Sequence, residues 1–144
     1  MQKLISLSVI LVLLLGISLY SGYSSGHAEI SYRTDIKPIR ERFPNLTGID
    51  KVYWSGSTVG GDFGPTNYSM RGYVFLSRAE AAALKQNYTW EHERITPQLQ
   101  YDFKGRPPHW SSSDDFDAYI KSSSYIGHFY FDQKRDVLYF DVER

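Results

Sequence analysis

The chain has 144 residues, contains no cysteine and is balanced in charge, with 16 lysines and arginines against 16 aspartates and glutamates. The lack of cysteine excludes disulfide bonds, thiol catalysis and thiolate metal sites. The charge balance gives no sign of electrostatic capture of nucleic acid, so we expect no nucleic-acid partner. Aromatic residues make up 16% of the chain. Tyrosine and tryptophan join an apolar body to a polar tip, which suits half-wet sheet faces and binding surfaces.

The N-terminal segment, residues 1–28, has a short basic start that contains Lys3, then an uncharged run of mostly Leu, Ile and Val at residues 4–20, and then small and polar residues. This layout is typical of a secretory signal peptide or a single membrane anchor. The Gly-His-Ala sequence of residues 26–28 favours cleavage before Glu29, but residues 4–23 are long enough to span a bilayer as a helix. Both alternatives stay open. In either case Lys3 favours export, so we expect the rest of the chain to be secreted or membrane-anchored on the outer side.

Residues 29–144 are predicted to form one extracytoplasmic domain, because about 116 residues suffice for one hydrophobic core and are too few for two. We expect an α+β fold in which two or three short helices pack on an antiparallel sheet of at least four strands in two hairpins, preceded by an N-terminal hydrophobic helix.

The first predicted elements are a short helix and a hairpin. Ile36, Ile39 and Phe43 form one apolar stripe of a helix that Thr34 and Asp35 are placed to cap. A hairpin follows. Its two strands are predicted at residues 49–55 and 68–76, and a glycine-rich connection at residues 56–67 joins them. A connection of that length is more often functional than a short one.

A second helix begins at Ser77, which forms a capping box with Glu80, and is predicted to end near Asn87. Residues 88–113 show no clear period and are predicted to be an extended excursion held by its aromatic side chains, with a short strand at residues 99–103. A third helix is expected to begin at Ser113.

A C-terminal hairpin is predicted to join residues 125–131 to residues 137–142. If residues 131 and 137 pair, His128 lies on the same face as Phe140. Both faces of this hairpin are apolar, so either helices and the excursion cover both sides or an aromatic patch is left for a partner.

The histidines and aspartates do not form a recognisable catalytic or metal-binding pattern. The four histidines lack ligand spacing, and the neighbouring side chains of Glu91, His92 and Glu93 diverge on an extended segment, so we expect no metal and no cofactor. His128 is interpreted as a hydrogen-bonded sheet histidine. The cluster of Asp114, Asp115 and Asp117 is interpreted as a favourable charge at a helix start.

All three asparagines, Asn45, Asn67 and Asn87, begin N-x-[ST] triplets. Such triplets are glycosylation acceptors in secreted eukaryotic proteins. Asparagine also favours turns and helix ends, where all three are predicted to lie. Because an exported domain without cysteine is more typical of bacteria, the turn interpretation is favoured and glycosylation stays open.

Several features of the chain form a recognisable combination. They are residues 64–68 (Gly-Pro-Thr-x-Tyr), residues 72–76 (Gly-Tyr-Val-x-Leu), the helix at residues 80–84, the late Trp110 and the C-terminal strand–turn–strand. In these features the chain resembles small exported proteins of Gram-positive bacteria, a group with no assigned activity. The resemblance implies a compartment and a fold, and nothing about chemistry.

The leading functional hypothesis is a non-catalytic binding or interaction module of the cell envelope, whose partner is an unidentified protein or envelope ligand. The abundance of aromatic residues and the lack of conventional catalytic sets favour it over an enzyme. The candidate binding residues are Asp62, Phe63, Tyr68, Trp90, His109 and Trp110.

Two alternatives stay open. One is a small hydrolase of envelope polymers that uses His109 or His128 with an aspartate as acid and base. The other is a domain that pairs with a partner, or as a homodimer, through the C-terminal hairpin.

Overall fold

The computed structural model describes residues 31–60 and 66–144 of the chain. The predicted N-terminal hydrophobic helix and the candidate residues Asp62 and Phe63 therefore lie outside the described residues. Within the described residues, no helix is long and apolar enough to span a bilayer.

The described residues form an antiparallel sheet with helices on one side, which confirms the predicted α+β class. The elements in chain order are α1 (Lys37–Arg42), β1 (Ile49–Val59), β2 (Asn67–Leu76), α2 (Arg78–Asn87), β3 (Glu91–His92), β4 (Ser111–Ser112), α3 (Asp114–Ile120), β5 (Ile126–Asp132) and β6 (Val137–Glu143). The strand order is β1-β2-β6-β5-β4-β3, and every neighbouring pair is antiparallel. The two predicted hairpins are the pairs β1–β2 and β5–β6.

Helix α1 is where the sequence predicted it, but the predicted cap is wrong. Ile36 occupies the cap position, and its side chain cannot accept a hydrogen bond. The carboxylate of Asp35 binds the guanidinium group of Arg33 instead, at 3.0 Å and 2.5 Å. Ile39 and Phe43 are fully buried, so burial of the apolar stripe stabilises this short helix.

Strand β1 is longer than predicted, because pairing continues to Val59 opposite Asn67. The hydroxyl groups of Ser57 and Ser69 face each other across the two strands and share a hydrogen bond of 2.8 Å. Cross-strand hydroxyl pairs of this kind stabilise a ladder. The connection between the two strands is therefore residues 60–66, and the predicted connection of residues 56–67 is wrong by four residues at its start and by one at its end.

The capping box at the start of α2 is confirmed in part. The hydroxyl group of Ser77 accepts a hydrogen bond from the backbone N–H of Glu80. The carboxylate of Glu80 does not return to the cap and accepts instead from the hydroxyl group of Thr47 at 2.9 Å. The backbone N–H of Ser77 donates to the carbonyl of Gly48, which ties the helix start to the turn before β1.

The excursion carries its strands at its two ends, as β3 and β4, and the strand predicted at residues 99–103 is wrong. Residues 93–110, which we call the cover segment, hold no helix or strand. Within the predicted strand, the backbone N–H of Phe103 donates to the carbonyl of Tyr101 at 3.0 Å, a tight local turn that an extended strand cannot contain.

The register of the C-terminal hairpin differs from the prediction by one residue. Phe131 pairs with Leu138, and Asp132 pairs with Val137. Side chains alternate between the two faces of the sheet along each strand. A shift of one residue therefore changes which side chains of β5 share a face with which side chains of β6. Phe129 therefore shares a face with Phe140.

The sheet separates two hydrophobic cores. The helix-side core lies between the sheet and the three helices, and its largest members include Phe43, Trp54, Phe116, Phe129, Phe131 and Phe140. The loop-side core lies between the sheet and the cover segment, and its buried members are Tyr73, Leu99, Trp110, Val137 and Tyr139. Both faces of the β5–β6 hairpin thus contribute to a core, although Ile126, at the start of β5, is exposed.

Candidate functional site

A histidine–aspartate pair lies at the junction of α3 and β5. The imidazole Nδ1 of His128 is 2.7 Å from the carboxylate oxygen Oδ2 of Asp117. The other carboxylate oxygen of Asp117 accepts the backbone N–H of Phe129 at 2.9 Å. The Asp117 side chain is only 8% exposed, whereas that of His128 is 58% exposed. The pair therefore has a buried, fixed carboxylate and an accessible ring.

Local geometry explains why Asp117 turns inward. Strand β4 pairs only with Tyr130 and Phe131 of β5, so the edge of β5 before those residues needs other hydrogen-bond partners. Asp117 accepts the N–H of Phe129, and Lys121, one helical turn later, donates its ammonium to the carbonyl of Gly127. Helix α3 thus completes the edge of β5 as a neighbouring strand would. Asp117 lies in the first turn of α3, as the sequence interpretation of the aspartate cluster expected, and its buried carboxylate in addition binds His128 and Phe129.

The exposed side of His128 faces an open cleft of about 460 Å³. The other polar side chains that line it include Asp114, Lys121, Ser122 and Ser123. A carboxylate that accepts from Nδ1 fixes the tautomer and leaves Nε2 available as a base, as in the base–orienter pairs of hydrolases. No serine hydroxyl among the described residues is hydrogen-bonded to His128, and that of Ser122 is bonded to Ser124 at 2.7 Å. The pair is therefore suited to activating water.

Two more charged groups continue from His128 across the sheet. Asp141 is the cross-strand partner of His128, and Arg71 is the partner of Asp141. Burial raises the pKa of Asp141, and the guanidinium group of Arg71, with its Nε 3.6 Å from Oδ1, partly opposes that rise. This row places a second titratable carboxyl group on the strand beside His128.

A second surface is formed by the cover segment. A groove of about 230 Å³, which we call the aromatic groove, lies over the loop-side core, and its aromatic lining is Tyr73, Tyr101, Phe103 and Trp110. Pro97, Pro107 and Pro108 complete its walls. The hydroxyl group of Tyr73 donates to the carbonyl of Leu99, and the ammonium of Lys51 donates to the hydroxyl group of Tyr101 at 2.8 Å. These bonds fix the groove to β2 and β1.

The predicted binding residues that are described lie in separate places. Trp90 packs on Phe116 and Phe131 in the helix-side core, and its indole N–H donates to the carbonyl of Leu84 at 2.9 Å. Trp110 is 4% exposed and belongs to the loop-side core. The two tryptophans therefore lie on opposite faces of the sheet.

The other two described candidates are partly or fully accessible. Tyr68 packs against the helix-side core under the guanidinium group of Arg42, which lies 4.9 Å from the ring centroid. His109 is exposed, and its ring stacks on that of His92. Among the four predicted residues that the structure describes, Trp110 is the one that lines the aromatic groove.

Comparison with known proteins identifies no relative of this chain: no family model matches it, and neither a curated protein nor a solved structure does. The resemblance to exported proteins of Gram-positive bacteria stays a prediction.

Proposed function

We propose that this chain is an exported, non-catalytic binding module of the cell envelope and that the aromatic groove contacts its ligand. The observation that carries the proposal is the construction of the groove, in which a segment without helix or strand is fixed on a rigid sheet. Binding residues are often placed on loops that a rigid scaffold positions.

The groove supplies contact surface at low entropic cost. The rings of Tyr101 and Phe103 are half-buried, so they are already held in place before a ligand arrives. Buried Trp110 forms part of the back wall. Aromatic side chains have few rotatable bonds, and a pre-organised aromatic surface loses little freedom on binding.

The binding test uses the full-length chain in mild detergent and purified cell-wall sacculi, prepared with and without their attached polymers. Phe103→Ala removes a half-buried ring from the groove, and we expect at least a tenfold loss of co-sedimentation. Tyr119→Ala is the matched control, since that ring is 51% exposed on α3 and lies outside the groove. The proposal fails if the parent chain does not sediment with either preparation, or if the two variants bind equally.

The His128–Asp117 hydrogen bond favours a second candidate function, a small hydrolase of envelope polymers. In that function His128 takes a proton from water, and Asp117 orients the ring and stabilises its charged form. The accessible ring and the open cleft support this candidate.

The hydrolase test measures soluble fragments released from the same sacculi. We expect His128→Asn to abolish release, whereas His109→Asn, at an exposed histidine elsewhere in the fold, retains it. Asp117→Asn is less informative, because it also removes the acceptor of the Phe129 N–H. Absence of release by the parent chain, or full release by His128→Asn, excludes this candidate and leaves the binding proposal intact.

A further inference from the structure

Two histidines from separate parts of the sequence meet at the β3 edge of the sheet. The imidazole rings of His92 and His109 stack with their centroids 4.0 Å apart and their planes inclined by 21°. His92 lies on β3, the last strand of the sheet, and both residues are exposed. Neither hydrophobic core includes either ring.

Backbone hydrogen bonds hold both residues in position. His92 pairs with Ser111 in the β3–β4 ladder, and the N–H of Glu93 donates to the carbonyl of Trp110 at 3.0 Å. The N–H of His109 donates to the carboxylate of Asp132 at 3.3 Å. The buried ring of Trp110 anchors the residue that follows His109. Only the side-chain torsions of the two histidines are therefore left to adjust.

The environment of His92 determines which of its ring nitrogens is left free for a metal. Its Nδ1 is 3.0 Å from the backbone carbonyl of Trp110. A carbonyl only accepts hydrogen bonds, so Nδ1 carries the proton and the lone pair of the neutral ring lies on Nε2. Histidines that bind metals usually donate their other ring N–H to a carbonyl or carboxylate in this way.

We propose that His92 and His109 together bind one divalent transition-metal ion, of the zinc, copper or nickel class, through their imidazole nitrogens. Neutral imidazole is a favoured ligand of these ions, and magnesium and calcium prefer oxygen. The described residues hold no group of three or more histidine, aspartate or glutamate side chains placed for a metal. Water therefore completes the coordination.

The stacked arrangement must open slightly for both rings to reach one ion. The lone pair of an imidazole nitrogen lies in the plane of its ring, so two stacked rings cannot both point at an ion between them, and an ion about 2.0–2.1 Å from each nitrogen requires the rings to tilt toward each other. Both rings are exposed, so rotation meets little packing resistance. The ring centroids are already 4.0 Å apart, so side-chain rotation alone has to bring the two nitrogens to one ion.

Nearby charges neither supply nor block this site. Asp132 is fully buried, and its carboxylate accepts from the backbone N–H groups of His109, Lys134 and Arg135 and from the guanidinium group of Arg135. Both of its oxygens therefore already accept hydrogen bonds within the protein and are not available to a metal ion. Lys134 lines the same shallow depression as His109, and its cation lowers the affinity for a metal ion to an extent that salt would screen.

The test is calorimetric titration of the full-length chain in mild detergent with zinc, copper(II), nickel and magnesium chlorides. We expect one zinc ion per chain and no heat from magnesium. His92→Ala and His109→Ala should each lower the affinity for zinc at least tenfold, because each leaves a single imidazole. His27→Ala and His128→Ala remove the other two histidines and should leave the affinity unchanged.

A thermal measurement distinguishes loss of the site from loss of the fold. Zinc should raise the unfolding midpoint of the parent chain, since a ligand that binds only the folded state stabilises it. His92→Ala and His109→Ala should keep the metal-free midpoint and lose the rise. The proposal is wrong if the parent binds no zinc, if either single variant binds as tightly as the parent, or if His27→Ala or His128→Ala abolishes binding.

Discussion

The helix-side core is built largely from phenylalanine and aliphatic side chains, whereas a row of tyrosines crosses the loop-side face of the same sheet. Tyr53, Tyr73, Tyr139 and Tyr130 are successive cross-strand partners on β1, β2, β6 and β5. On the opposite face, Phe129 and Phe140 stack with centroids 5.6 Å apart. Both faces are buried, so burial alone does not explain the difference.

The backbone that covers each face does explain it. Helices satisfy their own N–H and C=O groups, so an apolar face suits them. The cover segment lacks internal ladders, and its buried backbone groups need other partners. The hydroxyl group of Tyr73 donates to the carbonyl of Leu99, and that of Tyr139 accepts the N–H of Gln98 at 3.1 Å. Tyrosine on one face of a buried sheet thus indicates an irregular cover.

The largest expected effect is on the helix side. Phe140→Ala removes a fully buried ring that contacts Phe43 and Phe129. We expect a loss of about 3–5 kcal/mol in the free energy of unfolding, as for other buried phenylalanines. Urea denaturation followed by circular dichroism measures it. The exposed Glu143→Ala on the same strand is the control, and a cost for Phe140→Ala below about 1 kcal/mol would contradict this account of the core.

The second prediction concerns the tyrosine hydroxyl groups directly. Tyr73→Phe keeps the ring and deletes the donor to Leu99, so a buried carbonyl loses its partner. We expect a cost of about 1–3 kcal/mol, together with faster amide exchange in the cover segment. Tyr53→Phe is the matched control in the same row, for which we expect a change within about 0.5 kcal/mol. Equal costs for the two variants would show that the hydroxyl groups do not tie down the cover.

The sequence predicted what depends on local pattern. Tyr73 and Val74 are neighbours on β2 and lie on opposite faces of the sheet, as simple alternation along a strand requires, and Ser77 with Glu80 located the start of α2. These signals require only the spacing of neighbouring residues.

The register of the C-terminal hairpin depends on which residues form the turn, and the composition of residues 132–136 did not predict where the turn begins. Asp132 belongs to β5, and its carboxylate accepts the N–H groups of Lys134 and Arg135 across the turn. Asp136 adopts a positive φ of 57°, which aspartate tolerates better than most residues. The sequence contains several polar residues that suit such a turn, and it does not show which aspartate closes it.

The candidate sites depend on long-range pairing, so the sequence showed their residues but not their partners. Asp117 reaches His128 because β4 is only two residues long and leaves the edge of β5 to α3. His92 meets His109 because β3 and β4 pair. Strands of two residues are too short to show a periodic pattern of apolar side chains, so the sequence does not reveal β3 or β4.

A smaller effect is expected from alkaline titration of the loop-side core. Burial, and to a lesser extent the charge of Asp141, raises the pKa of Tyr139 to about 12. Unfolded tyrosine titrates near pH 10. Because the folded pKa is raised, the stabilising contribution is complete below about pH 10 and is lost as the pH rises toward 12.

We therefore expect the free energy of unfolding of the parent chain to fall between about pH 10 and pH 12, measured by urea denaturation at each pH. Tyr139→Phe should flatten part of that fall, whereas Tyr32→Phe, at an exposed tyrosine, should leave it unchanged. An identical slope in both variants would mean that the buried hydroxyl group is not the cause.

The smallest expected effect lies where the cover meets the edge of the sheet. The ammonium of Lys51 donates to the hydroxyl group of Tyr101 and lies 4.6 Å from the ring centroid of Phe75. Lys51→Met keeps most of the stem and removes the charge, and the expected cost is about 0.5–1 kcal/mol because the site is exposed. A double-mutant cycle with Tyr101→Phe measures how much of that cost belongs to the hydrogen bond. If the cycle shows no coupling, then Lys51 stabilises the cover segment through the rings of Phe75 and Tyr101 alone.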